Sequence, residues 1–140
     1  MAKRSTRTCL TDELGELITD SNPLSITIVE NRLPFTSSTN GRPIAIVKTA
    51  TAGTLIHTSI ADNRDHVTMW ATNTSDADRK LTIEFGGVAT ADQIHVFCPA
   101  KETVIVLDGL PIQEGLTVAA FTDAGASTVN VAGYYRREAV

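Results

Sequence analysis

The sequence predicts an all-β protein: a single antiparallel β-sandwich, jelly-roll-like and of about eight or nine strands, behind an extended or partly helical N-terminal arm. Three observations predict it. Apolar and polar residues alternate along short runs through most of the chain. Clusters of Gly, Pro, Asn, Asp and Ser interrupt those runs every ~8–12 residues, with no helix-periodic stretch between them. Threonine is abundant and lysine sparse, and the β-branched, χ1-stiff threonine favours extended chain over helix.

The arm comprises residues 1–24. Lys3, Arg4 and Arg7 precede "LTDELGELI", where Leu10, Leu14, Leu17 and Ile18 fall at helical spacing. Gly15 in its middle costs about 1 kcal/mol relative to alanine, so one or two helical turns are the expectation. Pro23 closes the arm. Asp12, Glu13 and Glu16 stand where a signal peptide needs its apolar stretch, which predicts a protein made and used without secretion.

Residues 25–140 form the predicted sandwich domain. Its strands are "SITIVE" (25–30), "PIAIVKTA" (43–50), "TLIHTSI" (54–60), "HVTMWATN" (66–73) and "RKLTIEFG" (79–86), then "QIHVFCP" (93–99), "TVIVLDG" (103–109), "LTVAAFTD" (116–123) and "TVNVAGYY" (128–135). Their turns include "STNGRP", "ADNRD", "NTSDAD", "DGLP" and "DAGAS". Leu81, Ile83 and Phe85 point to one face, with Thr82 and Glu84 on a wet or partner-facing side; Leu116 and Val118 oppose Thr117, and Val129 and Val131 oppose Asn130. "TVIVL" is apolar on both faces, which predicts a central strand ahead of a subunit interface. "NTSDADR" lies between two strands of like length and has the chemistry of a hairpin loop, because Asn, Ser and Asp bond neighbouring backbone groups.

That chemistry also weakens two functional readings of the same loop. Asn73-Thr74-Ser75 fits a glycan acceptor, which matters only in a secretory pathway. Asp76 and Asp78 begin like a calcium loop, but Lys80 and Leu81 follow where a ligand and a glycine belong. Asp62 and Asp65 make a second acidic turn, split by Arg64. His57, His66 and His95 show no metal-ligand spacing, there is no nucleophile elbow, and "FGGV" lacks the lysine and helix of a phosphate loop. No residue is therefore assigned a catalytic, cofactor-binding or metal-binding role, and the protein is read as not an enzyme. Cys9 and Cys98 are far apart, outside any C-x-x-C pair, and are expected as free thiols. Net charge −4 argues against a nucleic-acid partner. No apolar run approaches the ~18 residues of a membrane helix.

The residues expected to make contacts are Lys3, Arg4, Arg7, Leu14 and Leu17 in the arm, Trp70, and the terminal Tyr134, Tyr135, Arg136 and Arg137. Tyr, Trp and Arg are the types enriched at protein interfaces.

The strings "HVTMWATNTSDADRKLTIEFGG", "PAKETVIVLDGLPIQEGLTVAAF" and "STVNVAGYYRR", over roughly residues 54–137, resemble a group of small β-sandwich virion proteins of tailed bacteriophages. The resemblance lies in strand edges and turns; the arm is outside it. It implies a capsid cement or decoration protein that binds between major capsid protein subunits, sits on the virion surface after assembly in the host cytoplasm, and forms a homo-oligomer, with a trimer expected. It implies no small-molecule substrate. A head–tail connector or tail component is the alternative from the same particle, and a carbohydrate-binding sandwich a weaker one.

Overall fold

The computed structural model describes residues 31–140. The arm, with Lys3, Arg4, Arg7, Leu14, Leu17 and Cys9, and the strand expected at 25–30 lie outside the described residues.

Eight strands follow: β1 (Ile44–Ala45), β2 (Thr54–Thr58), β3 (Asn63–Asn73), β4 (Arg79–Phe85), β5 (Gln93–Cys98), β6 (Thr103–Gln113), β7 (Thr117–Thr122) and β8 (Val129–Ala139), with one 3-10 turn at Thr90–Asp92. They build two four-stranded antiparallel sheets, ordered β1-β8-β3-β6 and β2-β7-β4-β5. The first strand pairs with the last, the second with the seventh, the third with the sixth and the fourth with the fifth. A long two-stranded ribbon folded at the β4–β5 turn and wound around a core gives this order, which is a jelly roll. The sandwich expected from alternation is present.

The core lies between the sheets. Met69, Val67 and Ala71 of β3 and Val129 and Val131 of β8 meet Leu81 and Ile83 of β4, Val118 and Ala120 of β7 and Ile56 of β2, all fully buried. Each comes from alternate positions of its strand, so a period of two places them on the inner faces.

Where expectation and structure part, the reason is pairing across the sandwich. The strand expected at 43–50 shrinks to two residues because the chain changes sheet there: Ile46 donates to Val129 of one sheet, whereas the Lys48 carbonyl accepts from Thr122 of the other. "NTSDADR" is not a hairpin loop, since β3 and β4 belong to different sheets; it is an arch over the end of the sandwich. The turns expected in "ADNRD" and "DGLP" are partly strand. Asn63–Asp65 pairs with Arg137–Ala139, and β6 runs on through Pro111. As an edge strand, β6 tolerates a proline that offers no N–H. Asp108 and Gly109 together oppose Thr68 in a bulge, with Gly109 at φ +69° and its N–H bonded to Thr68 Oγ1.

"TVIVL" is not central. It lies at the sheet edge, with Leu107 buried and Ile105 66% exposed. Thr82 and Glu84 are buried rather than wet. Glu84 accepts bonds from Thr51 Oγ1 and from the Gly53 N–H at 2.7 Å, so the 46–53 crossover covers the outer side of that sheet. Leu116 falls outside the core, 45% exposed just before β7.

Candidate interaction face

Alternation along β8 divides the Tyr134-Tyr135-Arg136-Arg137 run between two environments. Tyr134 and Arg136 face outward; Tyr135 and Arg137 turn inward. The register then assigns neighbours on the outer face of the β1-β8-β3-β6 sheet. Thr72 lies between Asn130 and Thr103, Trp70 between Ala132 and Ile105, Thr68 beside Tyr134, His66 between Arg136 and Pro111, and Arg64 between Glu138 and Gln113.

These rungs grade along the strands. One end is hydroxyl-bearing and neutral, with Thr72 and Thr103 hydroxyls bonded at 2.8 Å. The middle is aromatic and apolar: Trp70 and Tyr134 have ring centroids 6.0 Å apart at 51°, Ile105 stands out beside them, and the Arg32 guanidinium lies 4.8 Å over the Tyr134 ring. The other end is charged. Glu138 takes a bond from Arg64 at 3.0 Å and lies 3.3 Å from His66, and these partners, His66 foremost, hold its carboxyl below the usual range. A half-buried aromatic pair with an arginine above it and a bare aliphatic side chain alongside is the composition of a protein-interface centre. Of the residues singled out from sequence, Trp70, Tyr134 and Arg136 share this face.

Tyr135 and Arg137 belong to a buried network that local pattern did not reveal. Asp65 on β3 is fully buried and accepts from Arg137 Nε at 2.7 Å and Nη2 at 2.8 Å, a bidentate fork. It also bonds His57 Nε2, from β2 in the opposite sheet, at 2.8 Å. Burial pushes the Asp65 carboxyl up, but the combined bonds from Arg137 and His57 outweigh burial and hold it below its ordinary value. An ionised carboxylate only accepts, so His57 carries its proton on Nε2. Burial, aided by Arg137, lowers the His57 pKa against the opposing pull of Asp65, and Nδ1 has no hydrogen-bond partner among the described residues. The Tyr135 ring sits 4.2 Å from His57, and the Arg137 guanidinium 5.0 Å over Tyr135. Asp65 had the appearance of a turn residue and His57 that of an isolated strand histidine; only the packing of β2 in one sheet against β3 in the other joins them.

The acidic arch separates its carboxylates. Asp78 caps the Ala100 N–H at 3.0 Å, while Asp76 is exposed, 3.4 Å from Lys101. Asn73 is buried, its amide donating to the Ala77 and Cys98 carbonyls and its Oδ1 accepting from Ser75. Among the described residues no group of three or more His, Cys, Asp or Glu is placed to hold a metal ion. Cys98 is a buried free thiol, its pKa raised by burial and secondarily by Asp123. A cleft of about 330 Å³ opens where β6 turns into β7, lined by Phe85, Pro111, Ile112 and Leu116 with Arg64 and Gln113 among its walls. Arg64 is already engaged there by Gln113 and Glu138.

No protein family, curated protein or solved structure matches this chain.

Proposed function

We propose that the chain is a structural subunit of a tailed bacteriophage particle, most simply a capsid cement protein that docks between major capsid protein subunits through the outer face of the β1-β8-β3-β6 sheet. The observation that carries this reading is the exposed Ile105 beside the Trp70–Tyr134 pair, on a broad strand face instead of inside a pocket. Buried apolar and aromatic anchors supply most of the energy at such interfaces, and a polar rim fixes orientation. Jelly rolls recur in capsid and lectin domains, a fold-level analogy that agrees with the sequence resemblance without replacing it. In this reading the side chains serve shape and adhesion, with no covalent chemistry. The 51° tilt between Trp70 and Tyr134 denies a sugar ring one flat platform, so the protein partner is preferred to a glycan.

The test is co-sedimentation with phage capsids stripped of their outer proteins, alongside light scattering of the free protein. Binding to the capsid wall and a trimeric mass are expected. Binding only to isolated head–tail junctions would move the assignment to a connector; binding to neither would overturn it.

A further inference from the structure

The described chain begins with a segment that straps both sheets together directly over the buried histidine. Leu33 exchanges two backbone bonds with Tyr135 of β8, at 2.8 and 2.9 Å. Four residues on, the Ser37 N–H donates to Ile56 of β2 at 3.2 Å, and the Thr36 hydroxyl accepts from the Thr58 N–H at 2.8 Å. Between these anchors Phe35 is buried, its ring 6.1 Å from His57. His57 thus lies beneath the strap, between Phe35 and Tyr135, with Asp65 as its single polar partner among the described residues.

We propose that His57 is the pin of an acid-released strap: neutral, it seats residues 33–37 across the two sheets, and its protonation frees them. Among the described residues, the charged or titratable groups that face the ring come from β3 and β8. Asp65 on β3 uses both oxygens on Arg137 and on Nε2; Arg137 and Tyr135 come from β8; the strap contributes Phe35, and β7 contributes Val118, neither of which titrates. A second proton on the imidazole would sit on Nδ1, which is buried and has no acceptor among the described residues. A donor in that position carries its full desolvation cost. Opening the strap gives Nδ1 to water and removes that cost. Proton uptake is therefore coupled to opening. Burial depresses the pKa of the seated ring, so the opened state binds more protons below the ordinary histidine value of about 6.5. With one proton linked, the opening constant rises by up to about tenfold per pH unit below that value, until the seated ring itself titrates. The opened form bares the Tyr135 backbone on β8 and the apolar rings of Phe35 and Tyr135, a pairing surface hidden at neutral pH.

Hydrogen exchange of the full chain at pH 7.5 and 5.5, corrected for intrinsic chemical exchange, reads this at the Leu33, Ser37 and Thr58 amides. Their opening constants are expected to rise up to about tenfold at the lower pH, at free energies well below that of global unfolding, whereas the Met69 and Val131 amides at the centre of the sheet should only follow the global stability read by urea unfolding at each pH. His57→Gln should flatten the response. The chain has three histidines, and the His66→Gln/His95→Gln double variant leaves His57 alone with its partners untouched. That variant should respond as the wild type does, which keeps the test decisive even where His57→Gln fails to fold. Strap amides whose opening ignores pH, or a response lost in the double variant, would overturn the proposal.

Discussion

At the scale of single residues, the most consequential group is Asp65. Its carboxylate has no water to fall back on and binds two partners from two strands. Removing one member of a buried ion pair leaves the other's charge uncompensated, which typically costs about 3–5 kcal/mol. Asp65→Asn should fall at the lower end, about 3 kcal/mol, because Arg137 keeps 23% of its side chain exposed. Urea unfolding should show the midpoint fall with the slope unchanged. Arg137→Lys should also destabilise, since an ammonium cannot reproduce the fork on Asp65. The pH dependence of global stability follows from the same atoms. His57 has a folded pKa below its unfolded value, so the unfolded chain binds more protons in that interval. Its contribution is whole above about pH 6.5 and declines as pH falls below it. Asp65 is also depressed; its contribution is whole above the unfolded carboxyl value of about 3.9 and is lost as pH falls through the folded one. Stability measured between pH 8 and 3 should therefore fall in two steps, and His57→Gln should remove the upper one.

At the scale of elements, close backbone approach and arch chemistry set the limits. A methyl group added at Gly133 would lie 2.1 Å from the Thr68 carbonyl oxygen and 2.9 Å from Met69 Cα. β8 can pair continuously with β3 only because that position is bare. Gly133→Ala should cost about 1–3 kcal/mol by overpacking, visible as a lower melting temperature. Asn73 holds the arch from β3 to β4 with its whole amide, so Asn73→Ala should leave two carbonyls and the Ser75 N–H without that partner. About 1–3 kcal/mol of stability should go with it. Strand existence was legible because alternation is a local property: Leu81 and Ile83, or Val129 and Val131, declare their face within five residues. Strand partners were not. The change of sheet at residues 46–48 and the arch at 74–78 depend on which strands lie opposite, and no local pattern carries that information. For the same reason Glu84 looked wet. What covers it is Gly53, thirty-one positions away.

At the scale of the molecule, the assembly reading rests on one sheet face. Trp70, Tyr134 and Arg136 could be picked from sequence because large aromatic and guanidinium side chains suit interfaces wherever they stand. Ile105 was missed, since an apolar residue in "TVIVL" reads as core until the strand is seen at the edge. The two register irregularities and Pro111 along β6 blunt that edge against strand addition, so docking by the face is the mode the architecture favours. Ile105→Asp touches an exposed side chain and should shift stability by no more than about 0.5 kcal/mol, as a thermal melt would show. It should nevertheless weaken a face-centred interface by about 2 kcal/mol or more, near thirtyfold in affinity. Glu102→Lys, on the exposed turn before β6, serves as a charge-change control away from the face. The most direct measurement is quantitative pelleting of wild type, Ile105→Asp and Glu102→Lys with stripped capsids. Wild type and the control should saturate the particles alike while Ile105→Asp binds at least tenfold more weakly; equal binding by all three would contradict the assignment of this face.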